Sequence, residues 1–345
     1  MKNQIQEKRK HLGLAAGAAI FAAAWVAVRY KTVQAERENP PLGEFITVDG
    51  VRLHYFSKGQ GPTVVLLHGN GVIAEDFRNA GLFDQLAQNY RVIAFDRPGF
   101  GYSERPRGKL WTPAAQARLI AAALEQLEVR DAVILAHSWG TLVALSMAMQ
   151  KPEMVTGLVL ASGYYYPSVR LDVLTATPAI PLLGDLLAHT LSPLIGRLIW
   201  PAVVKRAFFP AVVPDSFERM APWMTLRPRQ LRAEAEETAM MIPSAAVLHK
   251  HYPELAMPIA VVVGDGDKIV SPAHNSRHLQ RDLQDVDLTV LEGAGHMIQH
   301  LSQDALVAAV ERVSERASAL SSAQVAGRGL DPDCPPLLHK VTETT

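Results

Sequence analysis

The chain has 345 residues, of which 48% are hydrophobic and 20% charged. These are the proportions of a globular protein with a full core, and they exclude a disordered or collagen-like chain. Thirty-four lysines and arginines balance thirty-four aspartates and glutamates, so no global field favours nucleic acid or an acidic partner.

The first element in chain order is an apolar run, Leu12 to Val28, of 17 uncharged residues. Lys2, Lys8, Arg9 and Lys10 precede it, and Arg29, Lys31 and Arg37 follow. As a helix it spans about 25 Å, slightly less than the roughly 30 Å hydrocarbon core of a bilayer. Three readings fit it. An uncleaved membrane anchor is the expected one. A cleaved signal peptide has a small-residue site at Val33-Gln34-Ala35, but the charged Arg29 and Lys31 stand in between. An amphipathic docking helix lacks the polar face it needs. The four positive charges before the run, against three after, lean toward a cytoplasmic N-terminus and a catalytic domain outside the cytoplasm. The alternative is secretion after signal cleavage. Residues 29–43 read as a linker.

From there strands alternate with helices. Phe45 to Val48, then Asp49-Gly50, then Val51 to Tyr55 is a hairpin signature. Thr63 to Leu67, Tyr90 to Phe95, Asp131 to Ala136, Thr156 to Ala161 and Ile259 to Val263 are short, continuously apolar runs, the mark of strands buried on both faces. Thr112 followed by Pro113 opens a helix that runs to about Leu127. Leu288 to Leu291 is a last strand and Ser302 to about Ala319 a last helix. The expected fold is α/β, a mostly parallel sheet with helices on both faces and the opening hairpin antiparallel at one edge. The alternation breaks over residues 168–257, which are rich in Leu, Ala and Pro and read as a helical insertion interrupted at Pro181, Pro193, Pro201, Pro210 and Pro214. The organisation is thus a basic flank (1–11), the apolar segment (12–28), the linker (29–43), a core in two parts (44–167 and 258–319), a helical insertion between them, and a disordered tail (320–345). The single cysteine, Cys334, lies in that tail and excludes both an intramolecular disulfide and a multi-cysteine zinc site.

Ala136-His137-Ser138-Trp139-Gly140 follows a buried strand and opens a helix. A sharp strand-to-helix turn with small neighbours holds a serine in a strained conformation, its hydroxyl clear of the sheet at the positive end of the helix. Asp267, in Gly264-Asp265-Gly266-Asp267, and His296, in Gly293-Ala294-Gly295-His296, each follow a later strand. In an open parallel sheet the carboxyl ends of the strands share one edge, where sites form. A serine hydroxyl needs a base to take its proton, and the base needs an acid to hold its tautomer. Ser138, His296 and Asp267 supply all three. Leu67-His68-Gly69-Asn70-Gly71 lets the backbone approach a ligand, and the amides of Asn70 and Trp139 can form an oxyanion hole.

With these motifs, and with Asp96-Arg97-Pro98-Gly99-Phe100-Gly101, the chain resembles the α/β-hydrolase superfamily over about Glu44 to Ala317. Ala136 departs from the family's usual glycine. The resemblance implies that the insertion is a lid, that the Asp96-Arg97-Pro98-Gly99 stretch shapes a turn beside the site, and that Asp267 rather than Asp265 is the triad acid. It points to a serine hydrolase of a carboxylic ester with an apolar acyl group, working without cofactor or metal. Hydrolases of carbon–carbon bonds, aminopeptidases and acyltransferases share the scaffold, and an inactive binding protein is the alternative of another class. Epoxide hydrolases and haloalkane dehalogenases resemble the chain but use a carboxylate nucleophile, which Ser138 opposes. His137 reads as a packing residue, and His300 as an unneeded metal ligand. Tyr164, Tyr165 and Tyr166 fit the pocket and the core equally. The apolar Ile180 to Pro214 stretch fits a lid core, with a lipid-facing surface as the alternative.

Overall fold

Runs of Val, Ile and Leu build the centre of the molecule, as the period of their burial requires. The computed structural model describes residues 2–168, 177–180, 182–283 and 285–328. Its strands are β1 (Glu44–Val48), β2 (Val51–Lys58), β3 (Thr63–Leu67), β4 (Arg91–Phe95), β5 (Ala132–His137), β6 (Val155–Ala161), β7 (Ile259–Gly264) and β8 (Val286–Leu291). They form one sheet in the order β1-β2-β4-β3-β5-β6-β7-β8. The hairpin β1-β2 joins β4 antiparallel, and every other pairing is parallel. The expected α/β fold, with its antiparallel edge, is therefore the fold observed.

Alternate residues of each central strand feed two cores. Val65, Leu67, Ile134, Leu158 and Val261 point toward α4 (Pro113–Gln126) and α5 (Gly140–Gln150). Val64, Leu66, Val133, Val159 and Val262 point the other way, toward Phe77 of α2 (Glu75–Asn79), Phe83 of α3 (Leu82–Leu86), and Leu306 and Val310 of the last helix. Thr112 caps α4 as its sequence demands, its hydroxyl accepting from the Ala115 amide at 3.1 Å, with Pro113 at the first helical position.

Between β6 and β7 the described elements are helical. They comprise α6 (Leu183–Ala188), α7 (Leu191–Phe208), the short α8 (Asp215–Glu218) and α9 (Pro222–Thr225), α10 (Pro228–Leu248), and a 3-10 turn at His249–Glu254. Pro181 lies outside the described residues. Pro193 and Pro201 do not interrupt the chain as expected, because α7 runs through both. Pro201 and Arg197, whose carbonyl the proline cannot pair, are both on the exposed side, where water meets the carbonyl. The apolar insertion divides its faces. Phe208 and Phe217 are buried with Met220 and Met297, whereas Ile195, Leu198, Ile199 and Val203 of α7 are exposed. Tyr164, Tyr165 and Tyr166 are all buried in the core beside Tyr252.

The expected linker is corrected. A single helix, here called αN, runs from Lys2 to Glu38, so residues 29–38 are helical. No glycine or proline follows Val28 until Pro40, and Gln34 bonds both Lys31 and Glu38 along one face. Ala24, Val28, Thr32 and Ala35 are buried where αN meets α7 and α9. Glu36 forms an ion pair at 3.0 Å with Arg227, whose side chain is buried against the lid. The stretch Gln6–Glu38 is long and apolar enough to cross a membrane, with mean hydropathy 1.8 in its most apolar part, a character that membrane anchors and signal sequences share. At the other end the last helix reaches Arg328, beyond the expected limit, since Ser321 to Arg328 contains good helix formers and no proline. The rest of the expected tail lies outside the described residues.

Candidate active site

The site lies at the carboxyl edge of the sheet, where three strand ends deliver one side chain each. Ser138 follows β5 with φ +52°, in the left-handed region that costs a non-glycine residue strain. Its neighbours explain how that conformation is tolerated. A Cβ on Gly140 would stand 2.5 Å from the Leu67 carbonyl oxygen, and one on Gly69 would stand 2.9 Å from the Ser138 Cβ. Ala136 is fully buried inside β5, and its methyl group is accommodated there. The turn is pinned from both sides. The Ser138 amide donates to the Ala161 carbonyl at 2.9 Å, and the Thr141 hydroxyl donates to the Ser138 carbonyl at 2.6 Å.

His296 Nε2 lies 2.9 Å from Ser138 Oγ, and His296 Nδ1 lies 2.7 Å from Asp267 Oδ2. The structure thus brings together the three side chains that the sequence suggested. The second Asp267 oxygen accepts from the amides of Ile269 and Val270 at 2.7 and 2.9 Å. Burial raises the Asp267 pKa, but the His296 ring and these two amides outweigh it and hold the carboxyl below its usual value. Asp265 instead accepts from the Gly293 amide at 2.8 Å, tying the turn after β7 to the turn after β8. Ser138 is half-buried.

His137 stands behind His296, the two rings 4.9 Å apart, and donates from Nε2 to the His296 carbonyl at 3.0 Å. Burial and the neighbouring His296 push its pKa down to about 3, so it is neutral and serves as backing. His300 does not join His296. It lies between Asp76, at 2.8 Å from Nε2, and the Ser216 hydroxyl of α8, at 2.8 Å from Nδ1, and so fastens the lid to the core.

Asn70 and Trp139 sit at the ends of β3 and β5, which are neighbours in the sheet. The loop carrying Asn70 is held by Arg97. The Arg97 guanidinium donates to the His68 carbonyl at 2.7 Å, the Gly69 carbonyl at 3.1 Å and the Asn70 side chain at 3.0 Å. It is sandwiched between the rings of Phe100 and Trp139. Its charge is answered by Glu237 of α10, both carboxylate oxygens lying 2.8 Å from one guanidinium nitrogen, with each side chain fully buried. Gln116 donates to the same carboxylate at 2.7 Å, and the Trp139 indole donates to the Glu237 carbonyl at 3.1 Å. Asp96, next in chain, accepts from His54 at 2.7 Å and from the Ala74 and Tyr102 amides at 2.9 Å each. Burial raises its pKa, but His54, His68 and the Ala74 amide prevail and hold it at about 2. The Arg97–Glu237 pair was missed by sequence reasoning. Its only signal was the Asp96-Arg97-Pro98-Gly99 stretch, whose partner lies 140 residues away.

A family model described as the alpha/beta hydrolase fold matches residues 62–303. An uncharacterized protein of Mycobacterium tuberculosis (strain ATCC 25618 / H37Rv) is 27% identical over 302 residues, covering 84% of this chain and 86% of its own. Haloalkane dehalogenase 2 of the same strain is 26% identical over 269 residues, covering 75% of this chain and 90% of its own. Among solved structures, a membrane phospholipase A described as a bacterial virulence factor superposes with TM-score 0.61 at 21% identity, over 92% of this chain and 99% of its own.

Proposed function

We infer the reaction from a premise and a geometry: the chain belongs to the α/β hydrolase fold family, and Ser138, His296 and Asp267 stand in hydrogen-bond sequence at the site of that fold. The reading is a serine hydrolase of carboxylic esters with an apolar acyl group. The observation that carries it is the serine hydroxyl at the elbow, 2.9 Å from an imidazole nitrogen whose other nitrogen is held by a carboxylate.

In this mechanism Ser138 Oγ attacks the acyl carbon while His296 Nε2 takes its proton. Asp267 keeps the proton on Nδ1, which leaves Nε2 free to act as base, and stabilises the imidazolium that forms. The Asn70 and Trp139 amides receive the oxyanion, a contribution of roughly 3–4 kcal/mol per donor in the transition state. His296 then protonates the departing alcohol, and the same nitrogen activates the water that releases the acid.

The test is labelling by a fluorophosphonate, followed by turnover of p-nitrophenyl esters of increasing chain length. Labelling at Ser138 with ester turnover supports the reading. A folded protein that resists the probe overturns it in favour of a binding protein, and labelling without ester turnover favours carbon–carbon or amide substrates.

We propose separately that αN is an uncleaved anchor, with the catalytic domain outside the cytoplasm. Its support is the packing of αN on the lid: cleavage after Ala35 would remove Ala24, Val28, Thr32 and Ala35, which fill that contact. A mature chain found to begin at Glu36 would replace the anchored enzyme with a secreted one.

A further inference from the structure

Two adjoining hollows open where αN leaves its apolar stretch and meets the lid. The smaller, about 210 Å³, lies between Trp25, Arg29 and Thr32 of αN and His189, Arg227 and Arg229 of the lid. The larger, about 430 Å³, continues from His189 and Arg229 toward Arg107 and Lys109. His189, Pro228 and Arg229 line both, so the two form one groove.

The groove is short of anions. Its walls carry seven arginines and lysines against four carboxylates. Each carboxylate already has a cation: Glu36 pairs with Arg227, Asp185 with Arg107, Glu236 with Arg105, and Glu104 with Arg52. Among the described residues Arg229 has no carboxylate of its own: it shares Glu36, at 3.9 Å, and reaches the Gly101 carbonyl and the Tyr102 ring. The Arg229 side chain is 42% exposed, so an incoming anion can reach it. Among the described residues Arg29 has no carboxylate partner, and it is exposed.

The position of this charge is as informative as its sign. Arg29 is the first residue after the uncharged run, and Trp25 and Tyr30 beside it are 51% and 65% exposed, the aromatic flank found at headgroup depth. Along αN toward the N-terminus the surface turns apolar, with Leu12, Leu14, Ile20 and Val26 exposed. A ligand that fits must offer an anion at Arg29 and Arg229 and hydrocarbon on the Trp25 side.

We propose that this groove binds the phosphate of an anionic phospholipid headgroup, held between Arg29 of the anchor helix and Arg229 of the lid. The proposal rests on the reading of αN as an anchor. It adds a lipid site that is separate from the serine and that joins the anchor to the lid through a third molecule. A zwitterionic lipid brings its own cation into a groove that already has an excess, and so binds less well.

The experiment uses the full chain in non-ionic detergent, titrated with dihexanoyl-phosphatidylglycerol, dihexanoyl-phosphatidylcholine or inorganic phosphate, with thermal midpoint and calorimetric Kd as readouts. The glycerol lipid should bind and raise the midpoint, and the choline lipid and inorganic phosphate should do so clearly less. Arg29→Gln should weaken that binding about fivefold, as should Arg229→Gln, whereas Arg130→Gln, an exposed control between α4 and β5, should not. Arg29→Gln removes no ion pair, so its turnover of a soluble p-nitrophenyl ester should equal wild type and certify its fold. Equal binding by both arginine variants and wild type overturns the proposal, as does equal binding of the choline lipid. An equal effect of inorganic phosphate overturns the lipid assignment. Carbonate extraction of wild-type membranes reads the anchor separately: release of the chain by carbonate sinks the anchor reading, whatever the micelle titrations show.

Discussion

At the scale of single residues, Ser138 and its partners make the sharpest demands. Ser138→Ala should lower ester kcat by about 10^6 with an unchanged thermal midpoint, and retention of a tenth of the activity would refute the nucleophile. Asp267→Asn should cost about 10^4 in kcat, because an amide there favours the wrong tautomer of His296. Asp265→Asn loses only its bond to the Gly293 amide and should cost far less. A reversed order of the two in steady-state kinetics would reassign the acid. Asp96 is read by stability instead. Its carboxyl sits at about 2 in the folded chain against an ordinary 3.8. A depressed carboxyl contributes stability that is present above the ordinary pKa and is lost as pH falls through the folded one. The contribution is about 2 kcal/mol at neutral pH. Urea midpoints measured from pH 5 to pH 2 should therefore fall less steeply for Asp96→Asn than for wild type.

At the scale of elements, the elbow and α10 set the geometry. Gly140→Ala would press a methyl group on the Leu67 and His68 carbonyl oxygens, at 2.5 and 2.7 Å, which are backbone atoms with little room to yield. The spacing between β3 and the start of α5 would widen, and with it the spacing of the Asn70 and Trp139 amides. A loss of about 10^2 in kcat is expected, the effect of one misplaced oxyanion donor. Glu237→Gln leaves the buried Arg97 without its counter-charge and should cost about 3 kcal/mol in urea unfolding. The elements that the sequence disclosed were those whose signal is local. β3 to β7 are continuous apolar runs, Thr112-Pro113 announces α4, and Ser138, Asp267 and His296 each lie shortly after a strand-like run. What stayed hidden depends on distant partners. Glu237 is one of several glutamates on a lid helix, and only the fold sets it against Arg97. His300 fits a metal ligand by spacing but lies between Asp76 and Ser216, residues 224 and 84 positions away. The helix through 29–38 escaped because charge was read as linker, although lysine, glutamine and glutamate are good helix formers.

At the scale of the whole molecule, αN makes the N-terminal segment part of the fold. The full chain should remain with membranes through carbonate extraction, and peripheral release would overturn the anchor. Deletion of residues 1–40 should lower the thermal midpoint relative to the full chain in the same detergent, since Arg227 loses Glu36 and the lid loses the cover of Ala24, Val28 and Ala35. An unchanged midpoint would show that the contact contributes nothing to stability. The unbroken helix also has a consequence of phase. As an anchor, αN would carry the lid docked along Ala24 to Glu36, which fixes both the height and the bearing of the lid. A flexible tether would let the catalytic domain tumble over the surface; a docked helix would hold it to one heading while it diffuses in two dimensions. Each residue inserted ahead of Ala24 would turn the docked lid by about 100° around the helix axis and lift it by about 1.5 Å relative to the embedded segment. On the anchor reading, the number of residues ahead of that contact selects which side of the enzyme would face the lipids beneath it.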